Sequence, residues 1–145
     1  MKLKIEISAG GIVFKKINGK AYWLIVKHSQ YKKWTFPKGL IGDKAENEDV
    51  KAAALREVEE EGGVKARIIN DNPIIVQYNY RYKEFFIKKT VYYYLMEYVS
   101  GDVKDHDLEV SEATFVNEEE VKKILGFKSD NEAFIKILLK QKGLN

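Results

Sequence analysis

Apolar and polar residues alternate through KIEISAGGIVFKK (residues 4–16), the period-two signature of a half-buried strand. The Gly10–Gly11 pair predicts a break within it. AYWLIVKH (21–28) predicts a second strand, reached through a turn at Asn18–Gly19. Proline and glycines in WTFPKGLIGDKAEN (34–47) predict a loop. The period then changes. Val50, Ala54 and Val58 recur at i, i+4 and i+8, an apolar helical stripe. Asn47 is the expected N-cap, Glu48 and Asp49 fall in the first turn, and Gly62–Gly63 end the helix. PIIVQYNYRY (73–82) and EFFIKKTVYYYLMEYV (84–99) are strand-rich and nearly contiguous, which predicts a hairpin. EATFV (112–116) is a short strand. Asn117 with Glu120, and Ser129 with Glu132, match capping boxes and predict helices over 118–125 and 130–142. Strands, helix, strands, helices: the order implies an α/β (α+β) fold, a mixed sheet covered by helices.

The first helix ends in an arrangement that works against it. LREVEEEGG (55–63) places Glu57, Glu59, Glu60 and Glu61 in its last turns, where the helix dipole disfavours carboxylates. Like charges four residues apart also repel. At about 100° per residue, Glu57, Glu60 and Glu61 fall within roughly 100° of arc beside the apolar stripe, and Glu59 points away. Carboxylates crowded on a partly buried face repel and take up protons unless a cation offsets them. Oxygen ligands point to magnesium or manganese. An ordinary solvated acidic face is the alternative reading.

Composition narrows the class. The 145 residues are 45% hydrophobic and 32% charged, enough for one domain spanning 1–145 with its own core. Neither a repeat nor a linker interrupts the sequence. There is no cysteine, hence no thiolate metal site or disulfide framework. The first residues lack the continuous apolar stretch of a leader, and no run approaches membrane-spanning length; a cytoplasmic location is expected. The net charge of +3 is too mild to indicate a nucleic-acid partner and is compatible with a small anionic substrate. His28 and His106 are too few and scattered for a nucleophilic triad.

Gly42, Glu48, Arg56, Glu57, Val58, Glu60, Glu61, Gly63 and Val64 fit the spacing G-x5-E-x7-R-E-U-x-E-E-x-G-U, with U aliphatic. The chain thereby resembles the Nudix (MutT-like) hydrolases over essentially its whole length. The resemblance implies a Nudix-like α/β/α sandwich and magnesium-dependent cleavage of nucleoside diphosphates linked to another moiety. It implies that Glu57, Glu60 and Glu61 serve the metals, that Glu57 orients or deprotonates water, and that Arg56 and Glu48 hold the carboxylates in place. A backbone carbonyl before the box glycine, here assigned to Lys38, adds a ligand. The family glycine usually closes P-K-G, yet Pro37-Lys38-Gly39 lies nine residues before Glu48; Gly42 or Gly39 fills the role. A further acid about six residues before a strand aromatic is common in the family. With Phe115 as the aromatic, Glu109 is the candidate and Glu112 its rival. The catalytic set is then Arg56, Glu57, Glu60 and Glu109.

Tyr78, Tyr80 and Tyr82 share one strand face and Tyr92 and Tyr94 another. Such rows can stack on bases or simply cover sheet. Lys83, Lys88 and Lys89 are point charges suited to a polyphosphate. The segment Lys89-Thr90-Val91-Tyr92-Tyr93-Tyr94-Leu95, with FPKG and the C-terminal helices, resembles the diadenosine-tetraphosphate hydrolase branch, which yields ATP and AMP. That likeness implies Lys38, Tyr78, Tyr82 and Lys89 as substrate contacts. Other Nudix branches share this frame, including those acting on diphosphoinositol polyphosphates and RNA 5′-ends. Non-catalytic Nudix binding modules usually lose box glutamates, which this chain keeps.

Overall fold

The structure, a computed structural model, describes residues 1–41 and 48–141. Strands β1 (Lys2–Ile17), β2 (Lys20–His28), β3 (Trp34–Thr35) and β4 (Lys38–Leu40) precede helix α1 (Val50–Gly62). Then come β5 (Val64–Ile68), β6 (Ile74–Tyr82) and β7 (Phe85–Gly101), a 3₁₀ turn at Val103–Asp105, β8 (Val110–Val116), α2 (Glu118–Ile124) and α3 (Lys128–Gln141). Among the described residues, eight strands form one sheet. Its path runs β3-β2-β1-β7-β5, with β4 added to β1, β6 to β7 and β8 to β2. β1 and β7 are parallel from Lys2↔Phe85 to Phe14↔Glu97, and the other pairings are antiparallel. The sheet is mixed, as expected.

Alternation on β1 sends its side chains to two cores. Ile12 and Phe14 join Trp23, Tyr93 and Phe134 on the face covered by α2 and α3. Ala9 and Val13 join Leu24, Met96 and Val58 on the face covered by α1. The result is an α/β/α sandwich.

Several expectations change. β1 runs unbroken through Gly10–Gly11. The glycines serve packing: a Cβ on Gly10 would collide with the Pro37 carbonyl, and one on Gly11 with Val58 of α1. The expected loop 34–47 contains β3 and β4 in its described part, both too short to show a period. The cap of α1 is Asp49, whose side chain accepts from the Ala52 amide at 2.8 Å; Asn47 lies outside the described residues. In addition, β5 is an unexpected strand, although Val64, Ala66 and Ile68 alternate with Lys65 and Arg67; the 3₁₀ turn had no sequence signal; and α3 starts at Lys128, so Ser129 lies inside the helix rather than capping it. The β1–β2 turn, the β6–β7 hairpin and the Asn117 cap stand as expected.

Candidate active site

Helix α1 packs Val58 into the sheet, which fixes where its acids point. Glu57 and Glu61 are each 4% exposed, Glu60 is half-buried and Glu59 is exposed. The expected face is therefore present, and Glu59 is not part of it. Arg56 gathers the acids. Its Nε and Nη2 donate to the two carboxylate oxygens of Glu48 at 2.6 and 2.8 Å. Its Nη1 donates to Glu57 at 3.0 Å and Glu60 at 2.8 Å. Hydrogen bonding to Glu48 above all raises the guanidinium above its ordinary value, and the planar fork fixes the orientation of each carboxylate.

Glu61 is strained electrostatically. Burial pushes its carboxyl up to about 8. The Lys38 amide N–H, donating to Oε1 at 3.1 Å, opposes this, while the neighbouring charges of Glu57 and Asp107 add to it. β4 supplies that amide by pairing with β1 through Gly10↔Lys38 and Ala9↔Gly39. The same strand lays Gly39 against the Glu57 carboxylate, so that a Cβ there would collide with it. Of the two glycines considered for the box position, Gly39 makes this close approach to Glu57, and Gly42 lies outside the described residues.

Glu109 arrives from the opposite rim. Gly63 ends α1 in the left-handed region at φ 77°. Having no Cβ, it allows residues 102–106 to pack directly on it. The Asp107 N–H donates to the Glu60 carbonyl at 2.8 Å and the Glu109 N–H to Asp107 at 3.1 Å. Ser29 donates to the Glu109 carbonyl through both its N–H and its hydroxyl. A bulge at Lys27/His28 where β2 meets β8 brings in His28. Ligand atoms of His28, Glu61 and Glu109 lie within 4.8 Å of one another. Burial is the main influence lowering the imidazole below its usual value. Glu112 is exposed opposite Lys27 on β8, and is not among the residues lining the pocket.

Glu57, Glu61, Glu109, His28, Lys38 and Lys89 line a pocket of about 340 Å³. Next to it, a cavity of about 480 Å³ is walled by Tyr31, Tyr78, Tyr80 and Phe127. Tyr31, Lys38 and Lys89 border both. The Tyr31 ring stacks on His28 at 4.3 Å and meets Phe127 edge-on at 5.9 Å. Lys89 donates to Glu6 at 3.3 Å, and burial is the main influence lowering its ammonium. Lys38 donates to Thr35 Oγ1 at 3.1 Å. Burial alone would lower this ammonium, but Tyr93 and Asp130 hold it well above its ordinary value.

Among the implied substrate contacts, Tyr78, Lys38 and Lys89 meet here. Tyr82 does not: it is 52% exposed where the hairpin turns, with the Lys83 ammonium 5.2 Å from its ring centroid. Tyr92 and Tyr94 lie on the α1 face of the sheet. Sequence reasoning missed His28, Tyr31 and Phe127 as members of the site. They lie at a strand end and in loops, where no periodicity marks them.

The site is thus a mixed sheet between helix layers, with an Arg-gathered acidic helix end beside a basic and aromatic cleft. A family model described as NUDIX domain matches residues 6–137, and the chain belongs to that family. It is 34% identical over 124 residues to the "Putative mutator protein MutT4" of Mycobacterium tuberculosis (strain CDC 1551 / Oshkosh). The match covers 80% of this chain and 48% of that protein, so the chain spans about half the length of the curated relative it matches. Among solved structures, the binary complex of a C. elegans Ap4A hydrolase superimposes with a TM-score of 0.78 at 23% identity, covering 95% of this chain and 98% of that one. The NUDIX domain of Shewanella oneidensis NrtR, complexed with ADP ribose, gives 0.66 at 18% identity, covering 100% and 91%. These structural likenesses confirm the fold.

Proposed function

We propose that the chain is a magnesium-dependent pyrophosphohydrolase acting on diadenosine tetraphosphate, cleaving it asymmetrically to ATP and AMP. The observation that carries this reading is that the two cavities share Tyr31, Lys38 and Lys89 as lining residues. An acidic pocket suited to metal-assisted hydrolysis thus lies beside an aromatic cavity suited to a purine, with Lys38 and Lys89 bordering both. The donor set fits a hard divalent cation, because Glu57 and Glu61 are buried together and Glu61 holds its proton to about pH 8 without one. Glu57, Glu60, Glu61, Glu109 and the Lys38 carbonyl would hold magnesium, or manganese in its place. When bound, the ion neutralises phosphate charge and lowers the pKa of water.

The chain's own residues do the rest. Lys38 and Lys89 bind the polyphosphate as point charges. Tyr78 and Tyr31 bracket a base. Arg56 holds Glu57 and Glu60 in fixed orientations. Glu57 orients the attacking water and accepts its proton; the oxygen adds to one phosphorus as its bridging P–O bond breaks, and the two nucleotides leave. The partner is a small-molecule nucleotide, and the setting a cytoplasm.

Product analysis by ion-exchange chromatography tests this reading. With magnesium, diadenosine tetraphosphate should give ATP and AMP in equal amounts, and the Glu60→Gln variant should give neither. Cleavage of ADP-ribose, an oxidised dGTP, a diphosphoinositol phosphate or a 5′-triphosphate RNA instead would discard the assigned substrate. Binding without cleavage of any of them would favour a nucleotide-binding module.

A further inference from the structure

Among the described residues, the buried carboxylates are Glu57, Glu61 and Asp130. Asp130 belongs to α3, away from the acidic end of α1, and is 2% exposed. Its two oxygens have different partners. Oδ1 accepts from the Tyr93 hydroxyl at 2.7 Å. Oδ2 accepts from the Thr35 hydroxyl at 2.6 Å. Thr35 has a single hydroxyl hydrogen, and the Phe36 carbonyl is farther away, at 3.2 Å. The charged, closer acceptor therefore takes that hydrogen. The lone pairs of Thr35 Oγ1 are left for Lys38, whose Nζ donates to it at 3.1 Å. Polarity thus runs one way, from ammonium through hydroxyl to carboxylate.

We infer that Asp130 is a positioning residue for Lys38, acting through Thr35 to hold the ammonium where the acidic pocket meets the aromatic cavity. The inference rests on the reading above, in which Lys38 binds the polyphosphate. Pinning α3 to the sheet would need only the Tyr93 bond. The Thr35 arm instead leads into the site: Thr35 and Lys38 both line the acidic pocket, and Lys38 also lines the aromatic cavity. A lysine stem is flexible, and an anchored head loses less freedom when a phosphate binds.

The discriminating pair is Thr35→Val and Thr35→Ser, which remove and retain the hydroxyl while the Asp130–Tyr93 bond remains. Two quantities are measured: steady-state hydrolysis of diadenosine tetraphosphate, and the dissociation constant of ATP by titration calorimetry. With one charge-assisted link lost, Thr35→Val should raise KM and the ATP dissociation constant about tenfold while kcat falls less than about threefold. Thr35→Ser should stay within about twofold of the parent. Asp130→Asn, if it folds, should shift the same constants the same way. Wild-type KM and ATP affinity in Thr35→Val, or a loss confined to kcat, would overturn the inference. If the parent binds ATP in a Thr35-dependent way but does not cleave the dinucleotide, the substrate assignment fails and the positioning role stands. If the parent neither binds ATP nor cleaves the dinucleotide, both fall.

Discussion

Replacing Glu61 with glutamine should stabilise the metal-free protein at alkaline pH. In the folded state the Glu61 carboxyl is raised from 4.5 to about 8, chiefly by burial. Between those values the folded protein holds a proton that the unfolded chain has released. Stability therefore falls as pH rises through this window, and the loss is complete above about pH 8. At about 1.36 kcal/mol per unit, the shift is worth about 5 kcal/mol, an upper bound that water penetration reduces. Glutamine keeps the shape and carries no charge, so most of this pH dependence should vanish. The assay is urea denaturation in EDTA at half-unit steps from pH 5 to 9. The parent should lose about 2–5 kcal/mol across the window, the variant much less, with the curves diverging most above pH 8. Magnesium should restore the parent at alkaline pH, because it binds the ionised carboxylates of the folded state. Parallel pH profiles for parent and variant would refute the reasoning, since Glu61 would then be neither strained nor the source of the strain.

Other expectations follow from the same geometry. Glu60→Gln should reduce turnover by at least about a hundredfold with little change in melting temperature, whereas the exposed Glu59→Gln should leave turnover within about twofold; a large loss at Glu59 would contradict the helix register. Arg56→Lys keeps the charge and loses the fork, so turnover should fall about 10- to 100-fold, with weaker magnesium dependence curves read by titration. Tyr78→Ala should raise KM for an adenine dinucleotide by about ten- to a hundredfold, as expected for loss of one stacking wall, and Tyr82→Ala should not; equal effects would show that the base lies elsewhere.

Much of the architecture was legible because burial imposes a period. The β1–β2 turn, the β6–β7 hairpin, α1 and the Asn117 cap all follow from apolar spacing and turn or cap chemistry. β5 alternates Val64, Ala66 and Ile68 with Lys65 and Arg67, whereas β4, with three residues, is too short to carry a period, and tertiary pairing alone makes it a strand. Gly10 and Gly11 show the same limit. A glycine can mark a break or a close approach, and only the neighbouring chain decides which.

The sequence by itself determined the acidic, helix-borne part of the site. Glu57, Glu60, Glu61 and Arg56 lie within six residues of one helix, so local geometry fixes their shared direction without knowledge of the fold. What only the tertiary structure decided is whatever reaches that helix from elsewhere. Glu109, rather than Glu112, faces Glu61 because of a bulge and a loop packed on Gly63. His28, Tyr31 and Phe127 meet beside Lys38 from separate segments. Asp130 reads as a helix-start residue in sequence, yet lies buried against Thr35 and Tyr93. Their positions depend on strand register and on which helix covers which face, and these are settled by packing between residues far apart in the chain.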